Sequence, residues 1–113
     1  MRENVRLAIV NGARARPTRD RIDAVLTACG LRAERFNFQA GGISVFEKKK
    51  LTIATALAAE PSLILLDEPA SGLTPPEVAE LAELIRSLQH RGLTVLVIEH
   101  VLWRWCTWPV RAR

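Results

Sequence analysis

No apolar run in this chain is long enough to cross a bilayer as a helix. The longest, at residues 62–66 and 93–98, fall far short of the ~18 residues such a helix takes, and the amino terminus lacks a signal-peptide core. A cytosolic setting is therefore expected. Cysteine is scarce: Cys29 and Cys106 stand at no metal-ligand spacing, which argues against a disulfide framework or a zinc site and fits a reducing compartment. Cys29 is expected in the core. Aromatic residues are 5% of the chain, and the few among the basic residues between Arg2 and Lys50 do not make the series of stacking platforms that a nucleic-acid face would carry. The formal charge of +4 thus reads as a solvated basic face, and no nucleic-acid partner is expected. Also absent is any G-x-x-x-x-G-K-S/T segment, the loop whose backbone donors and lysine cradle phosphates.

What remains is the balance of an ordinary globular domain, with 49% hydrophobic and 25% charged residues. Residues 3–10 read as a helix closed by Asn11 and Gly12, followed by a basic loop at 13–17. From Thr18, the apolar stripe Ile22, Val25, Leu26 and Cys29 predicts an amphipathic helix that Gly30 ends. Ser44 and Glu47 fit the S-x-x-E capping box, so a helix is expected from Ser44 to about Glu60, stopped by Pro61. Thr74, Pro75 and Glu77 repeat that logic for a second capped helix, which buries Val78, Leu81, Ala82, Ile85 and Leu88 and stops at Gly92.

Two short apolar runs, 63–66 and 94–98, flank that second helix. A strand, a helix and a strand in this order form a βαβ unit, which leaves both strands parallel and their sheet covered on its faces. Their carboxyl ends then share one rim, where open α/β sheets bind ligands. Asp67 and Glu68 follow the first strand and Glu99 and His100 follow the second. A carboxylate there can hold Mg²⁺ directly or through water, a neighbouring carboxylate can orient or deprotonate an attacking water, and an imidazole can donate to a phosphate oxygen.

In their order along the chain, these residues resemble the ATP-binding subunit of ABC transporters, from its signature motif to its switch histidine. Leu63 to Glu68 is similar to the Walker B strand with its trailing glutamate, Ser71 to Thr74 to the D-loop, and Val97 to His100 to the H-loop. Ile43 to Glu47 stands in the signature position. The wording around the motifs, at 54–60 and 79–88, most resembles subunits for uptake of branched-chain amino acids. The resemblance implies an α/β fold: the parallel βαβ core of a P-loop NTPase-like ABC ATPase domain, incomplete, with helical segments before it. It implies residues 1–42 as part of a helical subdomain, 43–101 as the signature helix and βαβ core, and 102–113 as an atypical tail. Met1 is expected to be an internal start, and the Trp-rich tail a shifted or truncated reading frame rather than a membrane-surface segment.

By the same resemblance, ATP and Mg²⁺ are the cofactors: Asp67 serves the metal, Glu68 polarises the hydrolytic water, His100 touches the γ-phosphate, and Ser44 meets ATP held by a partner domain. The implied partners are a second ATP-binding subunit and membrane subunits at the inner face of the plasma membrane. Two departures bear on this. Val45, Phe46 and Glu47 replace the two glycines and the glutamine of the family's signature, and Thr74 replaces the aspartate of its D-loop. The glutamine loop and the adenine-stacking aromatic are missing along with the phosphate loop, so no useful ATP binding by this chain alone is expected. Two alternatives stand beside a portion of an ATPase: a non-catalytic remnant with exposed sheet edges, and, on the arginines alone, a basic nucleic-acid-binding module.

Overall fold

The computed structural model describes residues 1–12 and 16–100. Part of the expected basic loop, and the whole tail with Cys106, lie outside the described residues. The chain divides into two compact units, one ending at Ser62 and the other beginning at Leu63.

The first unit is helical: α1 (Arg2–Gly12), α2 (Arg19–Ala28) and α3 (Val45–Ala58) pack against one another. The third helix therefore groups with the helices before it. Val5 and Ile9 of α1, Leu26 of α2, Cys29 just after it, and Ile53 and Ala54 of α3 are buried. Each large apolar side chain removed from water this way contributes ~1.5–3 kcal/mol.

The cap of α2 is local chemistry. Thr18 accepts the Arg21 N–H at 3.4 Å, and at the other end Gly30 takes a φ of +73°. There the Gly30 and Leu31 N–H groups reach the Thr27 and Leu26 carbonyls at 2.9 and 3.2 Å, the paired closure that a left-handed glycine permits. Helix α3 stops at Ala58 rather than near Glu60. Glu60 itself turns left-handed at φ +55°, and Pro61 has no N–H to continue the ladder. Two 3₁₀ turns that the sequence did not announce, Ala33–Arg35 and Ala40–Gly42, link α2 to α3. Between them Phe36 is buried, with the Arg2 guanidinium 5.3 Å above its ring.

The basic face needs correction. Lys50 is buried, its ammonium 4.1 Å from the Phe46 ring centroid and 3.4 Å from the Gly30 carbonyl oxygen. Arg2, Arg6, Arg21 and Arg35 pair with Asp23, Glu3, Glu60 and Glu47. Much of the apparent basic surface is thus committed within the chain.

The second unit runs β1 (Leu63–Asp67), α4 (Pro75–His90), β2 (Thr94–Ile98). The strands are parallel, in a register from Leu63 opposite Thr94 to Asp67 opposite Ile98. The Thr74 N–H donates to the Glu77 carboxylate at 2.9 Å as α4 begins, and Gly92, at φ +89°, follows its end. Val78, Leu81, Ile85 and Leu88 are buried as the stripe predicts, whereas Ala82, expected with them, is half-buried.

The expectation that both sheet faces are covered fails. Ile64 and Leu66 are buried, but Leu63 and Leu65 are 54% and 58% exposed, and Leu96 and Ile98 are 53% and 42% exposed. Side chains alternate along a strand, and one set of this alternation stays in contact with solvent.

Candidate functional site

The carboxyl ends of β1 and β2 share one rim. Asp67 closes β1 and is exposed. Glu68 leaves the strand at φ +46°, a left-handed conformation that costs a non-glycine residue ~1–2 kcal/mol. Surrounding contacts hold it there. Its N–H donates to the Ile98 carbonyl at 2.7 Å, extending the strand pairing by one bond, and its carbonyl accepts the Ser71 N–H at 3.1 Å.

From the β2 side two side chains reach back. The Glu99 carboxylate accepts the Ala70 N–H at 2.9 Å. His100 brings Nε2 to 3.1 Å from Glu68 Oε1. The acid and the imidazole therefore meet, with side chains 46% and 78% exposed respectively, so solvent screens the pair and it adds only ~0–1 kcal/mol to stability. What the contact does is fix geometry: a carboxylate and a proton donor within one hydrogen bond of each other, both open to a ligand.

Ser44 belongs to the helical unit. It caps α3: its hydroxyl accepts the Glu47 N–H at 3.1 Å, and its own N–H donates to the Glu47 carboxylate at 2.9 Å. Arg35 Nε and Nη2 each reach that carboxylate at 2.9 Å. The Ser44 N–H first, and the Arg35 guanidinium after it, hold the Glu47 carboxyl below the usual carboxylate range. Glu47 is thus not a bare charge at this helix start; Arg35 offsets it. The sequence announces neither the Arg35 contact at the α3 cap nor the Glu99 contact at the turn after β1. Neither contact has a local signature, since the partners lie 12 and 29 residues away.

The donors at the rim suit a hard cation better than a polyanion. Mg²⁺ typically takes one or two protein carboxylates and fills its shell with water and phosphate oxygens, so Asp67 fits it. Among the described residues no group of three or more His, Cys, Asp or Glu side chains forms a closed metal cage. A triphosphate fits these residues poorly, because three of the four rim side chains, Asp67, Glu68 and Glu99, are acids, only the fourth, His100, can donate, and the sequence holds no lysine-bearing phosphate loop.

No protein-family model matches the chain. The high-affinity branched-chain amino acid transport ATP-binding protein LivG of Escherichia coli K12 is 42% identical over 82 residues, 72% of this chain and 32% of its own length. This chain is a homologue of ABC transporter ATP-binding proteins. BraG of Pseudomonas aeruginosa, with the same described role, is 38% identical over 78 residues, 69% of this chain and 34% of BraG. The chain thus spans about a third of the length of the curated relatives it matches. Among solved structures, cbiO1 of Clostridium perfringens, described as part of the ABC transporter complex cbiONQ, superposes with a TM-score of 0.76 at 30% identity, over 87% of this chain and 39% of that one. A nucleotide-free ATP-binding cassette from an ABC transporter superposes with a TM-score of 0.81 over 95% of this chain and 47% of that one; at 21% identity it supports the fold alone. The α/β fold is that of part of an ATP-binding cassette.

Proposed function

We propose that this chain carries the water-activating and phosphate-sensing part of an ATP-hydrolysing unit that drives solute transport, with branched-chain amino acids as the solute class suggested by LivG and BraG. The observation that carries the proposal is the 3.1 Å contact between Glu68 and His100 on the shared rim of parallel strands, in a chain homologous to ABC ATP-binding proteins.

In this scheme Asp67 would hold Mg²⁺, and the cation, when bound, would neutralise charge developing on the phosphates. Glu68 orients the attacking water and accepts its proton. His100, lying against Glu68, donates to a γ-phosphate oxygen, so the imidazole shares its donor between the carboxylate and the nucleotide. Ser44 is the residue for a partner's nucleotide, although its hydroxyl already serves the α3 cap. The phosphate cradle comes from outside these residues, and the chain alone is inactive. A second ATP-binding subunit and membrane subunits are the partners, at the cytoplasmic face of the membrane. Support for this comes from a related cassette, 26% identical with a TM-score of 0.77, solved as a dimer bound to ADP and Pi, and from the transporter complex of cbiO1.

The test is reconstitution. The chain is combined with a separately produced phosphate-loop portion of LivG, and ATP hydrolysis is measured. We expect activity to return and to fall at least about a hundredfold in Glu68→Gln, given the 10²–10⁴-fold worth of a positioned base. Undiminished hydrolysis by Glu68→Gln removes the proposed role. The exposed sheet face favours one other reading, a non-catalytic remnant, which failure of reconstitution would support.

A further inference from the structure

We propose that Glu99 is a positioning residue: by accepting the Ala70 N–H it ties the turn after β1 to the end of β2 and keeps Glu68 aimed at His100. The inference rests on the role proposed above for Glu68. Glu68 holds a left-handed backbone at φ +46°, which persists in a non-glycine residue only where its surroundings over-determine it. One restraint lies at Glu68 itself, the 2.7 Å bond from its N–H to the Ile98 carbonyl. Pro69 follows and has no N–H, so the Ala70 N–H is the first backbone donor beyond Glu68 that can anchor the turn. Ala70 is fully buried, and Glu99 Oε1 meets its N–H at 2.9 Å.

The chain order adds to the argument. Ile98, Glu99 and His100 are consecutive, and each contacts the 68–70 turn: by carbonyl, by carboxylate, and by imidazole. Ile98 and Glu99 restrain the backbone on either side of Pro69, and His100 takes the side chain they present. Without the Glu99 acceptor, the turn loses its tie to the end of β2 beyond Pro69, and Glu68 is held less firmly toward the imidazole.

Amide exchange of the whole chain tests the tether without requiring activity. In Glu99→Ala the Ala70 amide should exchange about tenfold faster, equivalent to ~1.4 kcal/mol, while amides inside α4 keep their rates. Glu99→Gln retains an acceptor oxygen without the charge and should stay within about threefold of the parent. An unchanged Ala70 rate in Glu99→Ala overturns the tether. If Glu99→Ala unfolds altogether, a folded and protected Glu99→Gln still supports the acceptor role, and unfolding of both variants overturns it. In the reconstituted ATPase, Glu99→Ala should lower kcat about tenfold with KM unchanged, and Glu99→Gln should restore it. Faster Ala70 exchange with kcat unaltered overturns the positioning role. Full activity of Glu68→Gln removes the proposed function instead, while the exchange result stands.

Discussion

Replacing Glu47 tests whether the start of α3 is held by its own chain. Glu47→Ala removes the acceptor for the Ser44 N–H and the partner of Arg35 together. Losing a capping contact costs ~1 kcal/mol. The Arg35 pair adds ~0.5 kcal/mol, near the surface value, because its side chains remain 33% and 22% exposed. The sum, ~1.5 kcal/mol, should lower the melting temperature of the helical unit by about 6–12 °C. Glu47→Gln keeps the capping geometry and loses the charge, so it should cost only about a third as much. The pH dependence follows from the carboxyl's lowered folded pKa. Its stabilisation is complete above the unfolded value of ~4.3 and disappears as pH falls through the folded one. Thermal unfolding followed by circular dichroism at neutral and strongly acidic pH is the assay. The parent and Glu47→Gln should differ at neutral pH and converge in acid. Equal stability at neutral pH, or a gap that persists in acid, refutes the reasoning.

Calorimetric titration of the isolated chain with Mg-ATP should show no micromolar binding. Three missing phosphate contacts at ~1.5 kcal/mol each remove ~4.5 kcal/mol, about a thousandfold in affinity, and a micromolar Kd would contradict this. Leu65→Lys with Leu96→Lys, on the exposed sheet face, should reduce aggregation measured by light scattering while changing stability by no more than ~0.5 kcal/mol per site; unfolding of the double variant would mean that the face is buried. A Cβ on Gly12 would lie 2.8 Å from the Ala59 Cβ. Gly12→Ala should therefore destabilise the packing of α1 on the end of α3 by ~1–3 kcal/mol, and an unchanged denaturation midpoint would show that α1 can yield freely.

Features decided within four residues were the most legible. The Ser44–Glu47 and Thr74–Glu77 pairings placed both helix starts, and the left-handed glycines at 30 and 92 marked two ends. The parallel strands followed from the capped helix between them, and with them the shared rim. Three things were not legible, for different reasons. A run such as Leu63 to Leu66 looks the same whether one face or both are covered, because coverage depends on neighbouring strands rather than on the run. Lys50 looked solvated because its neighbours Lys48 and Lys49 are charged, yet Phe46 one turn earlier and the distant Gly30 carbonyl draw it inward. Glu99 gained its task through a bond to a residue 29 positions away, beyond the reach of any local pattern.

The division of labour within the chain explains what it can do and what it needs. A single crossover carries Asp67, Glu68, Glu99 and His100, so their mutual geometry starts from the β1–β2 register and is completed by the contacts of the 68–70 turn. Water activation needs little more than that: an acid held at a fixed angle beside a donor. Binding a triphosphate needs the reverse electrostatics, several cationic or backbone donors converging on one anion, and three carboxylates beside one imidazole repel such a ligand. The same rim cannot satisfy both demands, and a divalent cation bound there would offset only part of the repulsion. Supplying a phosphate-cradling segment should therefore raise ATP affinity whether or not Glu68 is intact, whereas turnover should depend on Glu68. An affinity gain that requires the Glu68 carboxylate would place it among the binding groups and undo this separation.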